Sequence, residues 1–358
     1  MTIGGAQQVI RQLVENMGES EILSEVVCID NRLGELGEIL QDQGIKIHLL
    51  SRQPGFDFSL VKQLHQLIKT EHYDIIHCHQ YSPYVYGVLA SLLTPSKVMF
   101  TEHGRFYPDY GSWKRKLINP FFALKTKKII AISEATKKAL IKYENIKSEK
   151  IEVIYNGVSD LSSMLIYESA LKQKFGIPQQ AFIFGTISRL QPIKNQILMI
   201  NAFKKVHEQF NNAHLLVVGD GVMRDELEIQ ATNLGLDQSI TFTGFQKEPH
   251  QFHKIIDVFL LTSFSEGTSM TLLEAMSFST PCIVTRVGGN PEIVQHLKNG
   301  MLISSDNVTE CIEGQVKLIT NQELTSELGE NARLHFLQHF TQDKMVNRYS
   351  AIYQEAAG

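Results

Sequence analysis

Short apolar runs alternate with helix-patterned runs from one end of this chain to the other, and no other feature constrains its fold as much. In the first half the strand-like runs are 25–29, 45–50, 74–79, 97–101, 128–132 and 151–154, with helical patterning over 33–43, 58–70, 82–93 and 134–142. The second half repeats the scheme with strand-like runs at 182–188, 214–218, 240–243, 258–262 and 281–284. Such alternation predicts an α/β fold, with parallel sheets covered by helices on both faces. The two series meet over 156–163, where Asn156-Gly157 reads as a turn. With 358 residues available, the expectation is two Rossmann-like domains, 1–157 and 158–340, facing across a cleft. A last amphipathic helix over 341–358 carries Met345, Tyr349, Ile352 and Tyr353 at helical spacing.

Composition excludes several classes. No apolar run is long enough for a transmembrane helix, and no secretory signal precedes Gly4. Cys28, Cys78, Cys282 and Cys311 are far apart, without metal-ligand spacing, and read as buried thiols of a cytosolic protein. A net charge of −4 argues against nucleic acid as a partner. The charge is unevenly spread, however. Between Tyr110 and Ser133 there is no acidic residue, while Lys114, Arg115, Lys116, Lys125, Lys127 and Lys128 interleave with Trp113, Leu117, Ile118, Phe121, Phe122 and Leu124. Two readings fit 113–128. It is a solvated helix face over a core face, or it rests on an anionic membrane surface, which places the protein in the cytoplasm or peripherally on the inner face of the plasma membrane.

The segment from Ser263 to Val294 carries the most chemistry. Glu266 and Glu274 stand eight positions apart, and a loop of small and hydroxyl residues between them runs into a helix expected to start near Met270 or Thr271. First-turn amides have no intrahelical acceptor and bind anions, so a diphosphate can sit over Thr268, Ser269, Met270 and Thr271. Glu274 lies about a turn further in, placed to accept from a ribose, and Glu266 precedes the turn, placed to accept from sugar hydroxyls. A plainer reading competes: Thr271-Leu272-Leu273-Glu274 is also a capping box. A buried strand and the Gly288-Gly289 turn follow, and open α/β sheets bind ligands at the carboxyl ends of strands.

This stretch resembles the donor-site signature of retaining glycosyltransferases of family 4, which have the GT-B fold. Their pattern is two glutamates eight apart followed by a strand and a Gly-Gly turn. Other segments match in order: Gly4-Gly5-Ala6, His77-Cys78-His79, Thr101-Glu102-His103-Gly104, Ile132-Ser133-Glu134-Ala135, Val153 to Val158, Ser188-Arg189-Leu190 with Lys194, and Gly219-Asp220-Gly221. The resemblance implies sugar transfer from a nucleotide sugar, UDP- or GDP-linked, to a glycan or lipid-linked acceptor in cell-surface polysaccharide or glycolipid synthesis. It also implies a final helix that returns to the first domain. A sugar-nucleotide epimerase and a non-catalytic partner subunit are the alternatives. Family members carry a hydrophobic strand before the Gly-Gly loop, but here Met1 stands three residues before Gly4. The first strand is therefore expected to be missing, through a late-assigned start or a true truncation, and an upstream extension supplying it is expected to raise stability.

Breaking a C1–O bond to a diphosphate leaves negative charge that must be neutralised. No two aspartates stand two positions apart to hold a metal, so Arg189 and Lys194 are the expected substitutes, one forking phosphate oxygens and one acting as a point charge. Both follow the strand-like run at 182–188. In the family these positions bind the diphosphate, and no metal or other cofactor is expected. Gly219 and Gly221 follow the next strand and either let backbone approach the nucleotide or form a tight turn. On the first domain, His103 is the position at which the family contacts sugar. His77 and His79 share a strand face, with His79 nearer the carboxyl end on the acceptor side. Gly4 and Gly5 open the first helix and would turn its amides toward acceptor or phosphate.

Overall fold

The computed structural model describes residues 4–17, 22–104 and 111–357. The chain divides into two compact units, Met1–Gly157 together with Gln342–Gly358, and Val158–Thr341.

The first unit runs through α1 (Gly5–Asn16), β1 (Val26–Cys28), α2 (Glu35–Asp42), β2 (Ile47–Leu49), α3 (Phe58–Glu71), β3 (Ile75–His79), α4 (Tyr81–Ser91), β4 (Lys97–Glu102), α5 (Trp113–Lys125), β5 (Thr126–Ala131), α6 (Glu134–Glu144) and β6 (Ile151–Val153). Helix ends follow local chemistry. Asp57 caps α3 by accepting from the amides of Ser59 and Leu60 at 2.8 and 3.2 Å, and His72 closes the helix in the left-handed region. Leu60, Leu64 and Ile68 then recur every four residues on the buried face. All strand pairings in this unit are parallel, but they form two pieces, β1-β2 and β3-β4-β5-β6. Among the described residues no strand pairs with both β1 and β3. Val27 of β1 and Ile76 of β3 instead meet the same apolar cluster under α3 and α4. The residues ahead of Gly4, on which the expectation of a missing strand falls, lie outside the described residues.

The second unit contains α7 (Glu168–Lys174), β7 (Phe182–Ile187), α8 (Gln196–His207), β8 (Ala213–Val218), α9 (Arg224–Asn233), β9 (Ile240–Gly244), β10 (Val258–Leu261), α10 (Met270–Ser277), β11 (Cys282–Thr285), α11 (Asn290–Ile293), β12 (Met301–Ile303), α12 (Val308–Thr320) and α13 (Gln322–His339). Its six parallel strands lie in the order β12-β11-β10-β7-β8-β9. Strands β8, β10 and β11 are buried along their whole length, as a sheet covered on both faces requires. Strand order reverses between β7 and β10, so the loops leaving these two strands flank the topological switch point.

Helix α14 (Gln342–Ala357) belongs to the first unit, where it packs against α1 and β3. All four cysteines are free and buried.

Candidate active site

The second unit brings Lys194 and Glu266 together at its switch point. Lys194 ends a 3-10 turn (Pro192–Lys194) after β7, and Asn195, at φ 48°, redirects the chain into α8. Glu266 lies in the loop after β10. Lys194 Nζ donates to Glu266 Oε1 at 2.6 Å, and Ser263 Oγ donates to the same oxygen at 2.6 Å. The pair is mostly withdrawn from water, with side-chain exposures of 19% for the lysine and 8% for the glutamate. One carboxylate oxygen is thus fixed by the protein, while Oε2 has no hydrogen bond among the described residues and remains an acceptor. Arg189 is exposed at the end of β7 and makes no ion pair among the described residues.

Neighbouring loops lock this arrangement in place. Gly288 has φ +51°, and a Cβ there would lie 1.8 Å from the carbonyl oxygen of Glu266. The next amide, that of Gly289, donates to that carbonyl at 3.1 Å. Only glycine lets the loop after β11 close on the glutamate's backbone. Thr285 Oγ1 donates to the Ser263 carbonyl at 2.6 Å, so the start of the Glu266 loop is tied to β11 and Glu266 itself to the turn that follows β11. The loop after β8 is fitted in the same way: a Cβ at Gly219 would lie 2.0 Å from Ser188 O, and one at Gly221 would lie 2.3 Å from Leu190 O. The chain's own backbone accounts for both glycines.

Helix α10 starts at Met270 and is capped by Ser269, whose Oγ accepts from the Leu272 amide at 3.4 Å. The first intrahelical bond runs from Leu273 N to Ser269 O at 3.2 Å, leaving the Met270 and Thr271 amides ahead of it. The capping box read from Thr271 to Glu274 does not form. Ser269 holds the cap position, so Glu274 lies too far inside the helix to reach back to the cap amide. Its Oε2 lies instead 3.4 Å from Nε2 of His253, a residue of the 3-10 segment Pro249–Ile255.

In the first unit, β3 and β4 place a cluster of histidines. His79 Nδ1 and His103 Nε2 are 2.8 Å apart, and the rings of His77 and His79 are 4.1 Å apart. His77 Nε2 bonds Thr101 Oγ1 at 2.8 Å and its Nδ1 bonds the Tyr353 hydroxyl of α14. Burial, and then the charge of neighbouring histidines, holds His77 down to about 3 and His79 well below its ordinary value, and burial alone holds His103 down to about 4. All three are therefore neutral near pH 7 and present one donor and one acceptor each. Gly4 and Gly5 open α1 as expected, with Gly4 extended at its cap.

Helix α5 settles the two readings of the basic, aromatic stretch as far as its faces are concerned. Its buried residues are Asn119 and Ala123, whereas Trp113, Phe121 and Leu124 are 70%, 72% and 79% exposed and Leu117 and Ile118 are also exposed. Phe122 packs with Ala123 on the core cluster of the first unit, while the other large apolar side chains of the helix face outward. Among the described residues no helix is long and apolar enough to cross a membrane.

Sequence reasoning missed Ser263 and His253. Ser263 had a signal, a hydroxyl three residues before Glu266. His253 had none, since its relation to Glu274 exists only in three dimensions.

Two parallel-sheet units, one with an acidic and a basic side chain paired at its switch point, define an α/β protein with a charged site at the carboxyl ends of its strands. Comparisons give the family. Residues 168–335 match the glycosyl transferases group 1 family and residues 3–160 match glycosyltransferase family 4, together spanning most of the chain. The chain belongs to these glycosyltransferases and has their GT-B fold. It is 28% identical over 366 residues to the UDP-Gal:alpha-D-GlcNAc-diphosphoundecaprenol alpha-1,3-galactosyltransferase of Escherichia coli, covering 98% of this chain and 94% of that one. It is 29% identical over 310 residues to the N-acetyl-alpha-D-glucosaminyl L-malate synthase of Bacillus anthracis, covering 84% and 80%. Among solved structures, Anabaena Alr3699/HepE in complex with UDP and glucose superposes with a TM-score of 0.86 at 25% identity, over 98% of this chain and 96% of that one. A glycosyltransferase from Rickettsia africae ESF-5 superposes with a TM-score of 0.89 at 20% identity, over 99% and 96%.

Proposed function

We propose that this glycosyltransferase is retaining and metal-independent, and that it moves a sugar from a UDP-sugar to a lipid-linked acceptor in cell-surface glycan synthesis. The observation that carries the reading is the Lys194–Glu266 pair at the switch point, with Ser263 fixing one carboxylate oxygen and the other left as an acceptor. In this reading Arg189 and Lys194 face the diphosphate, the first-turn amides of α10 contribute at Ser269 to Thr271, Glu266 Oε2 accepts from hydroxyls of the transferred sugar, and Glu274 accepts from the ribose. The C1–O bond to the diphosphate breaks as the acceptor oxygen bonds C1 on the same face. The acceptor's proton passes to the departing phosphate oxygen, while Arg189 and Lys194 hold the charge that develops. Each such contact is worth about 10²–10³-fold in rate. His103 and His79 serve the sugar and acceptor side as neutral hydrogen-bonding groups. The choice of uracil and of a lipid-linked acceptor draws support from the UDP-bound neighbour and the diphosphoundecaprenol-using relative.

The exposed apolar stripe of α5, flanked by exposed Lys114 and Lys116, fits an anionic membrane surface that would bring the enzyme to such an acceptor. Charge complementarity and exposed aromatic area favour this occupant over solvent.

Thermal-shift screening against UDP-, GDP- and ADP-sugars tests the donor. A UDP-sugar is expected to raise the melting temperature with or without EDTA, Arg189→Ala is expected to abolish the rise, and Glu274→Ala is expected to reduce it. Anomeric couplings of the transferred sugar in the product report retention. An inverted product, a shift that needs metal, or epimerisation without acceptor would each overturn the corresponding part. Co-sedimentation with vesicles that is indifferent to anionic lipid would remove the membrane surface.

A further inference from the structure

His253 stands out among the buried polar groups of the second unit. It is 1% exposed, and neither ring nitrogen has a hydrogen-bond partner. Its ring packs against Phe259 and Phe278, with centroids 5.4 and 5.8 Å away and the Phe278 ring stacked at 24°. An imidazole buried without partners is costly, and such a group in a folded protein needs a reason. One polar atom is close: Glu274 Oε2, 3.4 Å from Nε2 and off the line a hydrogen bond would need. A neutral imidazole carries one N–H, and a carboxylate is the strongest acceptor it can be offered. The aromatic packing fixes the ring, so the more exposed Glu274 side chain is the partner that turns.

We propose that His253 is a positioning residue for nucleotide recognition: its Nε2–H holds one oxygen of Glu274 so that the other is presented to a ribose hydroxyl. This rests on the reading of Glu274 as the ribose ligand. A bound ribose draws the carboxylate into line, and the histidine sets which rotamer is available, so that the entropic cost of ordering the glutamate is met before the ligand arrives. The alternative is that His253 is a buried aromatic and nothing more. In that case phenylalanine would serve as well or better.

That difference is measurable as ribose selectivity, the ratio of dissociation constants for 2′-deoxy-UDP and UDP. GDP and its 2′-deoxy form replace them if the sugar-nucleotide screen selects guanine. In the native enzyme the ratio is expected to be about tenfold or more, the value of a hydrogen bond to a charged acceptor. His253→Phe keeps an aromatic ring against Phe259 and Phe278 and removes the donor. It is expected to melt no lower than the native protein yet to lose most of the ratio. His253→Gln, which restores an N–H donor, is expected to recover part of it. Glu274→Ala sets the floor, with a ratio near one. A collapse in Glu274→Ala with full selectivity in His253→Phe overturns the inference and leaves Glu274 as the ribose ligand. Full selectivity in Glu274→Ala overturns both. Should His253→Phe not fold, His253→Leu carries the same test.

Discussion

The Lys194–Glu266 pair makes a prediction that separates what it does for stability from what it does for function. At 2.6 Å the two charges attract by about 6 kcal/mol at an effective dielectric constant of about 20. Against this stands a desolvation penalty of several kcal/mol for each ion removed from water, and both side chains are largely removed. The net worth of the pair is therefore small. Removing one partner is different. Lys194→Ala leaves the Glu266 carboxylate buried with the Ser263 hydroxyl as its remaining donor, and an uncompensated charge of this kind costs about 3 kcal/mol. That corresponds to a fall of about 6–12 °C in the melting temperature of a unit of this size. Glu266→Gln leaves no buried anion and should cost less. The double variant Lys194→Met with Glu266→Gln should return to within about 1 kcal/mol of the native protein. Transfer activity should fall about 10²-fold or more in all three, because the groups that hold the donor are gone. Scanning calorimetry and transfer assays on the same samples read the two effects. A double variant as unstable as Lys194→Ala would show that the loss comes from packing around the lysine stem, and would refute the account of an uncompensated carboxylate.

Gly288→Ala puts a Cβ 1.8 Å from the Glu266 carbonyl at φ +51°, so the Glu266 loop must move by about 1 Å, for which a loss of about 10²-fold in kcat is expected; retained activity in steady-state assays would contradict the loop-locking role. Acidification should destabilise the first unit: the folded values of His77 and His103, about 3 and about 4, lie below the ordinary 6.5, so unfolded histidines take up protons first. The stability they contribute is present above about pH 6.5 and lost as pH falls toward 4, at up to about 1.4 kcal/mol per pH unit for each group. Melting temperatures measured from pH 7 to 5 should fall, and less steeply in His103→Gln; a flat profile counts against neutral buried histidines. Phe121→Glu with Leu124→Glu should lower partitioning onto anionic vesicles by about tenfold or more and leave the melting temperature within about 1 °C, since both side chains are exposed.

Strands were readable from sequence because a sheet covered on both faces writes itself as continuous apolar runs, as β8 and β10 do. Strand β12, Met301-Leu302-Ile303, escaped although β1, β2 and β6 are no longer: their apolar runs extend past the paired residues, whereas Gly300 and Ser304 close 301–303 on both sides. Helix α5 was not among the helical runs read from the sequence, and whether the basic and apolar residues of 113–128 faced a core or a membrane stayed open, since pattern records segregation and not direction. The site divides along the same line. Residue types and local order, such as Glu266 and Glu274 eight apart, are sequence properties. The pairing of Lys194 with Glu266 across 72 positions is a consequence of strand order, because only when β7 and β10 are neighbours do their exit loops meet. The capping box failed for a related reason: two hydroxyls, Ser269 and Thr271, compete for one cap, and the β10–β11 loops that pin Ser263 and Glu266 decide where the helix can begin. That two-residue choice of cap frees Glu274 from its helix end and leaves it beside His253. The same local choice thus fixes both what the glutamate cannot do and what it is free to bind.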